Sequence, residues 1–440
     1  MAIAPFASAQ SWHAIAPTAS PPARLGAAAA TDLGTGQVVL FGGQAGSSYL
    51  NDTWRFDGAT WTASTGTSPA VRMRAAMAYD ASHAAVVMFG GVNGVSVNSI
   101  LQDTWRYANG AWSQAATGFP VPPRRFGHAM ASDSARQRVV MFGGRTNAGT
   151  IYLQDTWEWD GATWTPLSPA HMPTNRMGHA MAFDPVLGQV VLFGGLQLGG
   201  PFQNDTWTWN GVDWTQLAPA MAPSARGDHA MATDAARGRV VLFGGYDGGD
   251  LVDTWEWTGA TWATIAGLTS PGVHALAPLA TGPTGRHVVL FGGMDASGGA
   301  LGDTWHYGQL AATHSIGAGC GVPPLTLAPT GGSLPVLGQT FAATITAPAG
   351  ALPFLSLGMN QVAVDLAFAG MPNCMLYHDL TVLGLGCTPS GSEWTTSVAL
   401  PNQPAFVGVE IYAQGYALAI GANPLGLITS NGLGLLLGMP

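Results

Sequence analysis

Five arginines stand at equivalent places in a repeated pattern, and they are the residues with the clearest potential for chemistry. They follow one another at intervals of 48, 53, 51 and 50 residues: Arg24, Arg72, Arg125, Arg176 and Arg226. A guanidinium group binds carboxylate, sulfate or phosphate through paired hydrogen bonds, so such a set predicts an anion-binding ring. Within it, Arg125, Arg176 and Arg226 are the candidate ligand contacts.

The same arginines have a structural alternative, because every repeat also carries an aspartate at the start of a DTW segment. These aspartates are Asp52, Asp103, Asp155, Asp205, Asp253 and Asp303. If each arginine pairs with an aspartate, none is left free to bind an anion. We favour this interpretation because the arginines recur with the repeat. The sixth repeat reads GVHALAP at 272–278 and has no arginine. One side of the ring therefore differs from the rest, as an off-centre pocket requires.

Three histidines follow the arginines by three residues, at His128, His179 and His229. Neutral imidazoles that converge on one axis can bind a metal ion. The alternative, which we favour, is that each imidazole bonds to backbone within its own repeat. The histidines remain candidate ligand contacts, and we predict neither a metal site nor a cofactor.

Aromatic residues occur in the non-repeated segments, where they could stack on sugar rings or on a partner's side chains. They are Tyr49, Phe119, Tyr152, Phe202 and Tyr246. Ordinary loop packing is the alternative. Asp247 and Asp250, in DGGD, together with Asp295 in the next repeat, could hold calcium through their carboxylate oxygens.

Several function classes find no support in the sequence. No G-x-S-x-G segment occurs and no cysteine precedes Cys320, so the repeated part offers no familiar nucleophile. All 15 basic residues are arginines, they form no run, and the net charge is -9. This charge pattern disfavours nucleic acid as a partner. No uninterrupted apolar stretch reaches the roughly 18 residues that would predict a membrane span.

The elements that must position these residues are short strands. The hexapeptide VVLFGG, with Met for Leu in two copies, begins at 38, 86, 139, 190, 240 and 288. An Arg-x-x-His-Ala-Met-like strand precedes each copy, and a DTW strand and a strand opened by a second tryptophan follow it. The run V-V-L-F is typical of a strand covered on both faces, and paired glycines indicate a bend or a close backbone contact. The pattern predicts repeated four-stranded antiparallel meanders.

Dipeptides between the third and fourth strands indicate how these strands are joined. They are Asp57-Gly58, Asn109-Gly110, Asp160-Gly161 and Asn210-Gly211. Such dipeptides favour two-residue type I′ hairpin turns.

Six copies of the pattern predict six sheets, but the second tryptophan is present in only five of them, at 61, 112, 164, 214 and 262. After Trp305 the chain reads HYGQLAATHS. Trp12, in SWHAIAP, precedes the first repeat, so we expect residues 11–16 to supply the outer strand of the sixth sheet. Closure of this kind pins the termini and removes open sheet edges.

This pattern resembles the Kelch-repeat β-propeller family, through the Gly-Gly doublet after an apolar strand and the tryptophan behind it. The resemblance covers about residues 10–312. It implies an all-β fold, a six-bladed Kelch-type propeller with the N-terminal strand closing blade six. Function does not follow from the fold. The copper radical oxidases, which resemble this fold, need a Cys–Tyr cross-link that this part of the chain cannot make. Sugar epimerase-like Kelch enzymes need only a few polar groups at the channel mouth.

In an up-and-down blade the loops after strands two and four lie on one face, which we call the variable face. The loops between the second and third strands occupy 44–50, 92–102, 145–154, 196–203, 246–252 and 294–302, and no two are alike. Binding residues concentrate on variable loops held by a rigid frame. We therefore expect the ligand site on this face, at the channel mouth.

The last third, residues 313–440, consists of short apolar runs such as TFAATITA and predicts a C-terminal β-sandwich. It resembles a C-terminal module of exported bacterial repeat proteins, through GAGC (317–320), GMPNCMLY (370–377) and NPLGLITSN (423–431). The resemblance implies a disulfide between Cys320 and Cys374, with Cys387 left over. From the residues alone, a 374–387 pairing stays open.

The N-terminus suggests export. Ala7-Ser8-Ala9 fits the A-x-A rule, so residues 1–9 are expected to be the remainder of a signal peptide and its cleavage region. A plain disordered terminus is the alternative. Together with the implied disulfide, this predicts a protein that is secreted or lies in the periplasm or cell envelope.

The functional hypothesis is a non-catalytic, monomeric binding protein that contacts a protein or a glycan through the variable face. The alternative is a carbohydrate-active, epimerase-like enzyme that uses Arg125, Arg176, Arg226 and the nearby histidines. A third possibility is an architectural envelope component without a discrete pocket.

Overall fold

The structure is a computed structural model of the 440-residue chain. In the repeated part it describes residues 10–94, 96, 99–115, 118–146, 151–265, 270–283, 285 and 287–308. Beyond these it describes 312–316, 319–320, 325–330, 333, 335–336, 339–347, 351–359, 361–366, 374–378, 382–390, 393–400, 409–418 and 427–437. The predicted signal-peptide region, 1–9, lies outside the described residues. The chain divides into a unit spanning Gln10–Gly308 and a unit formed by the residues from Gln309 onward.

The first unit consists of six four-stranded antiparallel sheets, which we number as blades one to six. Strand β1 (Ser11–Ile15) precedes the repeats. Blade one contains β2 (Ala28–Asp32), β3 (Gln37–Phe41), β6 (Thr53–Phe56) and β7 (Trp61–Ala63), with a small hairpin of β4 (Gln44–Ala45) and β5 (Ser48–Tyr49). Blade two contains β8 (Ala76–Asp80), β9 (Ala85–Phe89), β10 (Thr104–Ala108) and β11 (Ala111–Gln114).

Blades three to six repeat this order. Blade three contains β12 (Ala129–Asp133), β13 (Arg138–Phe142), β16 (Thr156–Trp159) and β17 (Trp164–Leu167), with a small hairpin of β14 (Arg145–Thr146) and β15 (Ile151–Tyr152). Blade four contains β18 (Ala180–Asp184), β19 (Gln189–Phe193), β20 (Thr206–Trp209) and β21 (Trp214–Leu217). Blade five contains β22 (Ala230–Asp234), β23 (Arg239–Tyr246), β24 (Asp250–Trp257) and β25 (Trp262–Thr264). Blade six contains β26 (Leu279–Thr281), β27 (Val288–Met294) and β28 (Ala300–Gly308), and β1 is its outer strand.

The apolar hexapeptides form the second strand of each blade, and the core lies between blades. In β19, Val190, Leu192 and Phe193 are fully buried, because alternate side chains pack against the blades on either side. Burial on both faces is why these strands are apolar throughout rather than alternating. The inner strands contact one another in sequence order, and β26 contacts β2, so the six blades form a closed ring.

Closure of the ring depends on β1, as predicted. It pairs antiparallel with β28, and Trp12 lies opposite Tyr307. In every blade the outer-strand tryptophan donates its indole N–H to the DTW threonine of the preceding blade. These pairs are Trp12–Thr254, Trp61–Thr304, Trp112–Thr53, Trp164–Thr104, Trp214–Thr156 and Trp262–Thr206. Blade six therefore uses the N-terminal tryptophan as the other blades use their own.

The glycine doublets are needed for the reason that their pattern suggested. Both residues have positive φ in all six blades, for example 65° at Gly194 and 102° at Gly195. A Cβ at Gly194 would lie 2.7 Å from the backbone oxygen of Arg226 in the next blade. Any other residue would strain the backbone and separate neighbouring blades.

The predicted two-residue hairpin turn occurs in only one of the four places. In blade two, Ala108 pairs with Ala111, and Asn109 and Gly110 both have positive φ. In blade one Phe56 pairs with Trp61, which leaves a four-residue loop. The prediction was wrong there, as it was for blades three and four, because the Asp or Asn side chain caps the loop. Asp57 accepts hydrogen bonds from the backbone N–H groups of Ala59 and Thr60.

The second unit consists of antiparallel sheets around one core. A five-stranded sheet has the order β29 (Ala312–Ile316), β39 (Leu427–Leu436), β38 (Glu410–Leu418), β32 (Leu352–Gly358) and β35 (Val382–Gly386). A four-stranded sheet has the order β30 (Thr326–Pro329), β31 (Thr340–Thr346), β37 (Glu393–Ala399) and β36 (Thr388–Ser390). Strands β33 (Gln361–Asp365) and β34 (Met375–His378) form a separate pair.

The two larger sheets of this unit share one hydrophobic core. Phe341 and Ile345 from one sheet and Leu355 and Leu433 from the other belong to a single buried cluster. The cluster includes the disulfide between Cys320 and Cys374, the pairing that the resemblance implied. Cys387 is free and half-buried, and burial raises the pKa of its thiol. Within the described residues, no helix has the length and apolar character needed to cross a membrane.

Candidate ligand-binding site

The repeated arginines are buried in ion pairs with aspartates, which is the interpretation that the sequence favoured over ligand binding. Arg176 is typical: its guanidinium bonds to both oxygens of Asp205 at 2.6 and 2.7 Å, to the backbone oxygen of Gly194 and to Thr174. Its side chain has no exposed surface. The same bidentate pairs join Arg24 to Asp52, Arg72 to Asp103, Arg125 to Asp155 and Arg226 to Asp253.

Each aspartate of these pairs also accepts the indole N–H of the tryptophan two residues later, as Asp205 does from Trp207 at 2.7 Å. Burial acts to raise the pKa of Asp205, but the hydrogen bond from Arg176 and its charge outweigh burial and hold the pKa below its usual value. The Arg176–Asp205 pair is therefore ionised, and all five N–H groups of its guanidinium have acceptors. The other four pairs repeat the bidentate contact with aspartate. They fasten each inner strand to the third strand of its own blade.

Blade six replaces the arginine by His274, whose Nε2 lies 3.1 and 3.2 Å from the two oxygens of Asp303. Trp305 completes the arrangement with a 2.6 Å bond to the same carboxylate. An imidazole has one nitrogen here where arginine has a planar fork of donors. In blade six the missing arginine is therefore replaced by a weaker His274–Asp303 contact, and no pocket opens at this position.

Changing His274 to arginine is expected to raise the free energy of unfolding by about 1 kcal/mol at pH 8, because it would restore a charge-assisted bidentate pair with Asp303. Guanidinium denaturation followed by tryptophan fluorescence measures the change. Val186→Arg, at a position that is 65% exposed, serves as the control for added charge. A less stable His274→Arg protein would show that blade six cannot accommodate the bidentate Arg–Asp pair found in the other five blades.

The three candidate histidines pack against phenylalanine rings of the preceding blade, and the expected bonds to the backbone of their own repeats are not formed. His179 lies edge-on against Phe142 of blade three, with ring centroids 5.5 Å apart, and His128 and His229 meet Phe89 and Phe193 in the same way. Their ring nitrogens have no hydrogen-bond partner of good geometry among the described atoms. Within that same part of the chain, no group of three or more His, Cys, Asp or Glu side chains is placed to hold a metal ion.

Burial keeps these histidines neutral. It lowers the pKa of His179 to about 3, with a further contribution from the charge of Arg176 and a smaller opposing one from the backbone oxygen of Phe142. The Phe142 oxygen raises the pKa of His179 slightly, although its position relative to the ring nitrogens does not meet the geometric criteria for a hydrogen bond. The pKa values of His128 and His229 are lowered for the same leading reason.

These pKa shifts predict acid destabilisation that begins below about pH 6.5, where histidines in the unfolded chain gain protons. The folded protein binds none until far lower pH, so stability falls as pH falls through this window. At pH 5 one such histidine lowers the free energy of unfolding by about 2 kcal/mol relative to pH 7. His179→Gln should reduce the pH dependence by this amount in denaturation titrations. An unaltered slope in His179→Gln would contradict the assignment.

A second ring of residues surrounds the channel mouth, two positions after the arginines. We call it the mouth ring: Gly26, Arg74, Gly127, Gly178, Asp228 and Leu276. Each member donates its backbone N–H to the carbonyl of the member in the preceding blade, at 2.7 to 3.2 Å, and the six bonds close on themselves. All six residues have φ between 54° and 65°. This geometry favours glycine, and each of the three other residues costs about 1 kcal/mol of backbone strain.

Two of the strained residues form an ion pair across the mouth. Arg74 belongs to blade two and Asp228 to blade five, which stand opposite each other in a ring of six blades. The guanidinium nitrogens of Arg74 lie 3.1 Å from the two oxygens of Asp228. Their side chains are 18% and 30% exposed, whereas the repeated arginines that pair with aspartates, such as Arg176, are fully buried. A Cβ at Gly178 would lie 2.7 Å from an oxygen of Asp228, so glycine leaves room for the pair.

This pair lies in a cavity of 150 Å³ that is also bordered by the three histidines. The channel behind it contains a separate cavity of 220 Å³, lined by alanines and by Met77, Met130, Met181 and Met231 of the inner strands. The mouth is polar and the channel apolar. A ligand that enters from the variable face therefore meets Arg74 and Asp228 first.

The loop aromatics form two clusters on the variable face. In one, the Arg145 guanidinium lies 5.7 Å from the ring centre of Phe126 and 5.9 Å from that of Tyr152. In the other, Phe202 and Tyr246 meet edge to face at 5.9 Å, and Tyr246 is 42% exposed. Both clusters include candidates that the sequence singled out.

Phe202 lies beside the mouth because the frame makes room for it. A Cβ at Gly227 would be 3.1 Å from its ring. The other blades have Leu25, Met73, Phe126, Met177 and Ala275 at the equivalent position. In blade five, therefore, the ring of Phe202 occupies the space that the side chain at this position fills in the other blades.

The remaining candidates are dispersed. Phe119 is 96% exposed, and Tyr49 is partly buried in its hairpin. Asp295 accepts hydrogen bonds from Ser297 and Gly299, and Asp247 accepts one from Gly249. These carboxylates cap their own turns, so the structure does not bring Asp247, Asp250 and Asp295 together as a calcium site.

Comparison with known proteins settles the fold. Residues 87–271 match the model of the KLHDC2/KLHL20/DRC7 Kelch-repeats domain. The solved structure titled "Structure of YjhT" aligns with a TM-score of 0.52 and 15% identity, over 66% of this chain and 95% of that one. The repeated part is a Kelch-type β-propeller. No curated protein sequence matches the chain.

In this Kelch-type propeller, sequence reasoning missed Arg74, Asp228 and Leu276. A signal was present: RLG, RFG and RMG open three repeats, whereas the others read RMR, RGD and HAL. An alignment of the repeats shows a glycine lost at one position three times. The glycine matters because the backbone has a positive φ at this position, and φ cannot be read from the sequence.

Proposed function

We propose that the protein is a non-catalytic binding protein, and that its ligand, a protein or a glycan, contacts the variable face of the propeller. The observation that carries the proposal is the pair of aromatic clusters around the mouth, Phe126–Arg145–Tyr152 and Phe202–Tyr246. Partly exposed aromatic and arginine side chains around a polar cavity are the residue types that dominate binding surfaces.

The enzyme alternative loses the residues on which it depended. Arg125, Arg176 and Arg226 are held by aspartates, and His128, His179 and His229 pack between blades. The arginines are already engaged by carboxylates, and burial lowers the pKa of the three histidines that border the mouth cavity, which keeps them neutral. A general acid needs a proton to give at the working pH, and these histidines lack one. Arg74 and Asp228 remain at the mouth, paired with each other.

The cellular location belongs to the same proposal. A disulfide joins two cysteines of the second unit, and disulfides persist in oxidising compartments. This supports a secreted or envelope protein. We further propose that it acts as a monomer and that the second unit is an accessory or anchoring module.

The test is retention of ligand by the immobilised full-length protein, using purified polysaccharides and an envelope extract. A variant with Tyr152→Ala, Phe202→Ala and Tyr246→Ala should lose at least about tenfold in affinity, since such aromatics contribute most of the energy at binding surfaces. Its melting temperature must match that of wild type.

The matched control replaces exposed apolar residues of the opposite face, Leu33→Ala and Val212→Ala. It should retain the ligand. Equal retention by both variants would place binding elsewhere on the protein, and loss in the control alone would assign it to the opposite face.

A further inference from the structure

We propose that the Arg74–Asp228 pair is the recognition element of a saccharide subsite at the channel mouth, which takes an uncharged sugar residue at the end of a glycan. The inference rests on the proposed binding role of the variable face and names the ligand class. It rests on four features of the mouth: charge balance, free hydrogen-bonding capacity, an adjacent aromatic ring and the position of the strained residues.

The charge balance of the cavity favours a neutral ligand. Among the described residues that line it, Arg74 and Asp228 are the charged ones, and their charges cancel. The frame arginines behind them are neutralised by aspartates. An anion would bring a second negative charge to Asp228, and a cation a second positive charge to Arg74.

The pair keeps hydrogen-bonding capacity toward the cavity. Each guanidinium nitrogen that bonds Asp228 has a second N–H, and each carboxylate oxygen has a further lone pair. Neighbouring sugar hydroxyls can donate to Asp228 and accept from Arg74 without breaking the ion pair. A zwitterionic amino acid would have to separate the two charges before pairing with them.

An aromatic surface lies beside the pair. The ring of Phe202 packs over Gly227, the residue before Asp228, and Tyr246 extends it outward. A sugar presents hydroxyls at its rim and C–H groups on its faces. A carboxylate, a guanidinium and a neighbouring ring can contact both kinds of surface, as sites with few polar groups among apolar ones do.

The position of the charges is not required by the frame. Glycine fills the mouth ring at three of six places, and Arg74 and Asp228 stand where φ is 54°. Strain of this kind recurs where side chains serve a site. Replacement of either residue by glycine restores the residue type that the backbone prefers, so the variants that remove the site also fit the local geometry.

The experiment is calorimetric titration of the full-length protein with glucose, galactose, mannose and N-acetylglucosamine, beside glycine and acetate. At least one sugar should bind, and Arg74→Gly and Asp228→Gly should each weaken it at least about tenfold. Gln137→Gly relieves strain of the same kind, at a φ of 54°, in the opposite-face loop between β12 and β13. It should stay within about threefold of wild type. The polar variants Arg74→Gln and Asp228→Asn repeat the test if a glycine variant melts early.

Three outcomes overturn the inference: no sugar binds, sugar binding is equal in all variants, or glycine or acetate binds in preference to sugars. The parent proposal fails separately. If the aromatic triple variant loses its ligand while the Arg74 and Asp228 variants keep theirs, the variable face binds but not through this pair. If all variants keep the ligand, both proposals are wrong.

Discussion

Replacing Trp12 with alanine is expected to lower the free energy of unfolding of the propeller by about 3–5 kcal/mol. Trp12 is 1% exposed and packs against Phe243 and Tyr307, with ring centroids 4.8 and 5.3 Å away. Its indole N–H bonds to Thr254 of blade five at 2.8 Å. The substitution therefore empties a large core site and loosens the strand that closes the ring.

Guanidinium denaturation followed by tryptophan fluorescence measures this effect, because Trp394 is the one tryptophan of the sequence that lies beyond the propeller. Thr254→Val is the matched control, since it removes the hydrogen bond but keeps the packing, and it should cost about 1 kcal/mol. A change below about 0.5 kcal/mol in Trp12→Ala would show that β1 does not hold the ring closed, since ordinary surface substitutions have effects of that size.

Changing Asp205 to asparagine should destabilise the propeller by about 3–5 kcal/mol, because it leaves the Arg176 charge buried without a counter-ion. The guanidinium has no exposed surface, and Asp205 is the acceptor for two of its nitrogens and for Trp207. Asparagine offers one carbonyl where the carboxylate has two oxygens. The same denaturation assay measures the loss.

A double-mutant cycle separates the pair from its surroundings. Arg176→Met combined with Asp205→Asn should be less destabilised than the sum of the single changes, with a coupling of about 2 kcal/mol. Asp247→Asn, at an exposed turn, should stay within about 0.5 kcal/mol of wild type. Additive single effects would mean that the buried pair contributes little beyond its separate contacts.

Much of the fold follows from the repeats. V-V-L-F is typical of a strand buried on both faces, and Gly-Gly permits the positive φ values that follow it. The absence of a second tryptophan from the sixth repeat and the presence of Trp12 before the first repeat were enough to predict ring closure. These inferences succeed because they depend on local residue type and on counting.

The hairpin turns are features that the local sequence did not predict correctly. Asp57-Gly58 and Asn109-Gly110 look equivalent in sequence, yet only the second forms the tight turn. In blade one the Asp57 side chain caps two backbone N–H groups of a longer loop. The dipeptide alone therefore does not distinguish a two-residue turn from a four-residue loop.

The candidate site shows the same division more strongly. The sequence by itself determined the repeats, the strands, the closing strand and the face on which non-repeated residues gather. Only the tertiary structure decided that Arg125, Arg176 and Arg226 are buried in ion pairs, while Arg74 and Asp228, 154 residues apart, meet across the mouth. The physical reason is that local conformation depends on neighbouring residues, whereas the pairing and exposure of a side chain depend on which blades stand next to or opposite each other once the ring has closed.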